Sequence, residues 1–120
     1  MADIKEIDAG IGAHGMWKGR LLSAITGGKM DTPVATVQAD NECAFGKWLY
    51  GSTLTAADKT SADYKSVKEL HAQFHKAAGK VAGMAVAGRK AEATALMLGE
   101  FSTTSSALTM AMMNWKKSLK

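Results

Sequence analysis

The chain has 120 residues, of which 47% are apolar and 22% charged, with a formal net charge of +4, one proline and one cysteine. That length suits a single domain with its own core, and a lone cysteine excludes a disulfide-stapled secreted fold and points to a reducing compartment, the cytoplasm. No run approaches the roughly 18 apolar residues of a membrane span, and the basic residues are scattered except at Lys116, Lys117 and Lys120, where they suit a helix C-terminus better than a nucleic-acid surface.

Residues 1–8 carry Asp3, Lys5, Glu6 and Asp8 and have no apolar stretch, so no leader peptide is expected. Many Ala, Leu, Met, Lys and Glu residues with few breakers predict an all-α fold. Ile4, Ile7, Ile11, Leu21, Leu22 and Ile25 recur at helical spacing and predict a first helix over 4–26, with His14 in the same inward series. Gly27-Gly28 ends it. Thr32-Pro33 reads as an N-cap followed by proline at the first helical position. Val34, Val37 and Asn41 then carry a short second helix to Cys43 or slightly beyond, which 46–51 leaves. Residues 52–62 read as a connector with one short turn at Thr55, where Thr55-Ala56-Ala57-Asp58 fits a capping box. Val67, Leu70, Phe74, Ala77, Val81 and Met84 stripe a third helix over 61–87, which Gly88 stops. Leu96, Phe101, Leu108, Met112, Trp115 and Leu119 stripe a fourth over 89–119, with a kink expected near Gly99 and 103–106. The expected architecture is one antiparallel four-helix bundle spanning 1–120, with a short, broken second helix.

The strong metal donors are few: His14, Cys43, His71 and His75. Three nitrogens and a sulfur are what a closed tetrahedral zinc site requires. His71 and His75, four apart, project from one helical face a turn apart, and His14 and Cys43 reach the same interior in a bundle. Four protein ligands leave no position for water or substrate, which argues against zinc hydrolysis. The competing reading is core packing: inward histidines and a cysteine serving as a small buried hydrophobe. Spacing alone leaves both open.

The blocks Ala13-His14-Gly15-Met16-Trp17-Lys18, Cys43-Ala44-Phe45-Gly46-Lys47-Trp48-Leu49 and His71-Ala72-Gln73-Phe74-His75 resemble the chemoreceptor zinc-binding (CZB) domain family. That family carries a histidine three before a tryptophan, then Cys-x-Phe/Leu-Gly-x-Trp, then His-x-x-x-His, in this order. The resemblance implies one zinc per chain on His14, Cys43, His71 and His75. Trp17, Phe45, Gly46 and Trp48 are then motif residues that shape the site, chiefly by packing, with Gly46 supplying a permissive backbone where the second helix breaks. Asp40, one turn before Cys43, is either an acceptor behind a ligand or a solvated helix residue.

The resemblance implies a regulatory domain of bacterial signalling, of chemotaxis or cyclic-di-GMP type, acting as a homodimer with a partner protein or a fused output domain. In one reading it senses zinc or oxidants such as hypochlorous acid, with Cys43 as a redox switch, since the thiolate is both ligand and nucleophile. In the alternative, zinc merely locks a dimerisation or docking module. An enzyme is not expected: no Ser-His-Asp pattern is present, Gly27-Gly28-Lys29 lacks the rest of a phosphate loop, and the donors do not suit a di-iron bundle.

Overall fold

The computed structural model describes residues 4–30, 32–41 and 43–119. The start of the charged segment (1–3) and Lys120 of the basic C-terminus lie outside the described residues. Among those described, all regular structure is helical: α1 (Ile4–Gly15), α2 (Trp17–Gly27), α3 (Val34–Gln38), α4 (Ala44–Tyr50), α5 (Ala56–Thr60), α6 (Ala62–Val86), α7 (Lys90–Leu96), a π-helical turn (Met97–Phe101) and α8 (Ser102–Ser118). None of these helices is long and apolar enough to cross a membrane.

The long helix α6 organises the rest, with α2, α3, α7 and α8 packed along it. Its start is encoded locally. Ser61 caps it by accepting the Tyr64 N–H at 3.1 Å, and Gly88 takes up a φ of +80° just beyond its end, the left-handed conformation that terminates helices. Val67, Phe74, Ala77 and Val81 face the core as the 3.6-residue period requires. The predicted capping box also forms: Thr55 Oγ1 accepts the Asp58 N–H, and the Asp58 carboxylate accepts the Thr55 N–H. Gly28, with φ +70°, closes α2 by donating its N–H to the Ala24 carbonyl at 2.7 Å.

The first predicted helix is interrupted by a single turn residue, Met16, across which Met16 N–H still reaches Gly12 and Arg20 N–H reaches Met16 at 3.3 Å. Leu22, assigned inward, is 48% exposed. Its neighbour Leu21 takes the buried position, and one helix face cannot hold both.

The second predicted helix departs most from expectation. It ends at Gln38, with Ala39 extended (ψ 120°), and a turn at Asp40-Asn41 follows, built of residues that favour turns. Cys43 is therefore not near its end. It is the N-cap of a new helix, α4, and the segment 46–51 expected to be irregular is helical as far as Tyr50. Thr32 does not cap α3 either. Pro33 holds that position, and Thr32 Oγ1 accepts a hydrogen bond from Arg20 Nη2 at 3.0 Å.

Where a kink is expected, the last helix carries a π turn that contains Gly99, whereas 103–106 lie within the regular helix α8. Ala93, Met97 and Phe101 are all buried although spaced by four, which a 3.6-residue turn carries progressively off one face. The wider π turn absorbs that drift before Leu108, Met112 and Trp115 continue the inward series.

Candidate metal centre

Three elements supply the donors. His14 lies in the last turn of α1, His71 and His75 lie in the middle of α6, and Cys43 opens α4. One donor atom from each of the four lies within 4.8 Å of all the others. Cys43 Sγ is 3.4 Å from His71 Nε2 and 3.5 Å from His75 Nε2. A tetrahedral zinc ion bonded to sulfur and nitrogen at ordinary lengths holds those atoms about 3.5 Å apart. The separations found are therefore those of ligands arranged around one ion.

The outer ring nitrogens show how two imidazoles are aimed. His75 Nδ1 lies 2.9 Å from the Val37 carbonyl, and His14 Nδ1 lies 2.6 Å from the Gly10 carbonyl. A carbonyl only accepts, so Nδ1 carries the proton in both rings and each Nε2 presents a lone pair. Val37 lies in the last turn of α3, where carbonyls have no partner within the helix. The early end of α3 thus provides the acceptor that orients His75. His14 Nε2 and His71 Nδ1 are buried with no hydrogen-bond partner among the described residues. A partnerless lone pair at His14 Nε2 is costly unless something coordinates it, and a cation meets that requirement.

Aromatic rings enclose the histidines. Phe45 is edge-on to His14 and His71 at 5.6 and 5.3 Å, Phe74 to His14 at 5.0 Å, and Trp17 to His75 at 6.1 Å. Trp48 stands one ring further out, 5.5 Å from both Phe45 and Trp115. Gly10 makes room for Phe45, because a Cβ there would lie 2.4 Å from its ring.

This enclosure sets the protonation states. Burial, aided by repulsion from His75, lowers the His14 pKa to about 4 despite the opposing hydrogen bond to Gly10. Burial, together with His75 and His14, lowers His71 further. Burial also lowers His75, against the Val37 hydrogen bond and the Asp40 charge, which raise it. All three rings are held neutral, the state that binds metal. Burial raises the Cys43 pKa, and the N–H groups of Gly46, Phe45 and Cys43 itself oppose this. The Gly46 N–H reaches Sγ at 3.3 Å.

Gly46 proves necessary for a reason other than backbone freedom. It lies within α4 and has no positive φ. What it lacks is room: a Cβ would sit 1.8 Å from the Asp40 carbonyl oxygen. The Asp40 carboxylate receives the Tyr50 hydroxyl, and the acceptors behind His14 and His75 are backbone carbonyls. Gly10 and the Val37 carbonyl went unnoticed in the sequence, and Phe74 reads there only as part of the core stripe of its helix. The steric role of Gly10 has no local signature, and a carbonyl acceptor is the same atom in every residue.

The sequence model of the chemoreceptor zinc-binding domain family matches residues 14–82. This is more than half of the chain, begins at His14 and contains all four donors. No curated protein and no solved structure matches the chain.

Proposed function

Because the chain belongs to the chemoreceptor zinc-binding domain family, we propose that it is a regulatory domain of bacterial signalling that holds one zinc ion on His14, Cys43, His71 and His75 and responds through Cys43 to zinc supply or to oxidants such as hypochlorous acid. The observation that carries the switch is where the sulfur sits. The three histidines ride on helices of 12 and 25 residues, whereas Cys43 caps a helix of seven, after a non-helical stretch. Sulfur is also the one donor that oxidants convert to a poorer ligand.

When bound, zinc supplies positive charge that keeps the Cys43 thiol deprotonated. Oxidation of Cys43 to the sulfenic acid weakens its hold and leaves three neutral imidazoles. The α4 helix is then freed at its N-terminal end only. Its other end stays tied by the Tyr64 hydroxyl, which donates to the Leu49 carbonyl at 2.8 Å. Trp48 carries any rotation of α4 to Trp115 on α8, so the C-terminal helix is the natural output. On this reading the chain works in the cytoplasm as a homodimer, with a partner or fused output domain of chemoreceptor or diguanylate cyclase type. It has no catalytic role of its own.

The test is zinc content in protein purified without added metal, before and after stoichiometric hypochlorous acid, in the wild type and in Cys43→Ser. About one zinc per chain, released on oxidation only when Cys43 is present, is the expected result. A wild type without zinc would overturn the ligand set. Equal oxidant-driven release in Cys43→Ser would overturn the switch. A second reading, a zinc-locked docking module, draws support from Leu98, Met110 and Met113, which stand 73%, 66% and 49% exposed on the C-terminal helical segment. It requires zinc to survive the oxidant.

A further inference from the structure

Two clefts share Cys43 as part of their wall. One, of about 200 Å³, opens between α1 and α4 and is lined by Glu6, Ala9, Ala13, His14, Cys43 and Phe45, among others. The other, of about 150 Å³, is lined by Arg20, Thr32, Thr36, Cys43 and His75 with Trp17 and Val37. We infer that the first cleft is the entrance by which small uncharged oxidants reach the Cys43 sulfur, with Ala13 setting its bore and Glu6 its discrimination against anions. This inference rests on the reading of Cys43 as the switch.

Glu6, Ala9 and Ala13 follow at i, i+3 and i+7, so they form one line along the exposed side of α1. Gly10, His14 and Trp17 form the adjacent buried line, the floor of the same cleft. Methyl groups at 9 and 13 are the largest side chains that the middle of this rim carries. The volume equals that of several water molecules at about 30 Å³ each, ample for hypochlorous acid or hydrogen peroxide. The walls are apolar apart from the donors themselves, and among the described residues Glu6 is the one carboxylate of the lining. An anion meets the Glu6 carboxylate at the rim, and no lysine or arginine stands among the described lining residues. The second cleft is strapped instead. The Arg20 guanidinium lies 3.8 Å over the Trp17 ring and donates to Thr32 Oγ1 at 3.0 Å, which pins a long side chain along its wall.

The reaction at the end of the entrance needs only the oxidant and water. The Cys43 thiolate forms a bond to the chlorine of hypochlorous acid as the Cl–O bond breaks and hydroxide leaves. Water then displaces chloride, giving the sulfenic acid and a proton. Sulfur loses two electrons and chlorine gains them.

The experiment uses the full chain, zinc-loaded and zinc-free, and follows Cys43 modification by mass spectrometry. The probes are uncharged methyl methanethiosulfonate and its anionic sulfonatoethyl analogue, with hypochlorous acid by competition. With the thiosulfonates the thiolate forms a disulfide and a sulfinate leaves with the bonding pair. Leucine suits the exposed helical position 13, and Ala13→Leu is expected to slow the uncharged probe and hypochlorous acid by about tenfold or more, as filling an apolar pocket does, with zinc content unchanged. Glu6→Gln is expected to speed the anionic probe about threefold, the effect of one exposed charge, and to leave the uncharged probe unaffected. Slowing by Thr36→Leu but not by Ala13→Leu would place the entrance at the second cleft. Slowing by neither would mean that Cys43 is reached by opening of α4, and either result overturns the inference. If modification proceeds at the expected rates without zinc release, the switch fails while the entrance stands.

Discussion

Replacing Gly46 with alanine tests the site through one methyl group. The added Cβ would lie 1.8 Å from the Asp40 carbonyl oxygen, 2.9 Å from its carbon and 3.1 Å from Asn41 Cα. All three are backbone atoms, so no side chain can rotate away. Real Cβ contacts essentially never fall below 3.0 Å, so the shortest contact must open by at least 1.2 Å, the difference between those two values. Either the 40–41 turn or the first turn of α4 must move, and Cys43 joins them. Metal–ligand distances tolerate only about 0.2 Å, several times less than that movement. The same shift disturbs the Gly46 N–H that supports the sulfur. The expected cost to the zinc-free fold is that of overpacking, about 1–3 kcal/mol, with a further loss of zinc affinity. Chemical denaturation of the zinc-free protein and zinc competition against a chelator of known affinity measure the two separately. Gly12→Ala is the control: it is exposed, helical and free of any neighbour within 4 Å of the new Cβ, so it should stabilise by about 0.5–1 kcal/mol. Native zinc affinity and stability in Gly46→Ala would refute the close approach and the placement of Cys43 that depends on it.

The zinc-free protein should lose stability in acid, because His14 titrates near 6.5 when unfolded and about 4 when folded. With the folded value depressed, the unfolded chain binds the proton first. The contribution is therefore fully present above pH 6.5 and declines as pH falls towards 4. It is worth about 3 kcal/mol for this group, and the depressed His71 adds to it. Denaturation midpoints that stay level across that window would count against buried neutral imidazoles. Tyr64→Phe strands the buried Leu49 carbonyl and should cost about 1–3 kcal/mol in denaturant unfolding. An unchanged midpoint would mean that α4 is not anchored there. Because Trp48 and Trp115 lie 5.5 Å apart, chelating zinc should alter tryptophan emission, and Trp115→Phe should remove most of the change. A full response in that variant would place the motion elsewhere, with Trp17 as the remaining reporter.

The sequence by itself determined whatever depends on residues a few positions apart. Ser61, Gly88 and the Thr55 capping box bound their helices through hydrogen bonds and backbone conformations formed within a turn. The i, i+4 spacing of His71 and His75 places both on one face of any helix that contains them. The motif blocks carried the candidate ligands because the donor types themselves are chemically distinctive. Tertiary structure decided the rest. The period that assigned Leu21 and Leu22 to one stripe did not say which of two neighbours the core would accept. The end of α3 at Gln38 makes sense only once His75, 38 residues further on, takes the Val37 carbonyl. Gly46 reads as a permissive backbone position at a helix break until the Asp40 carbonyl is found against it. Carbonyl acceptors and close backbone approaches belong to every residue type alike, so only the folded chain shows which of them the site uses.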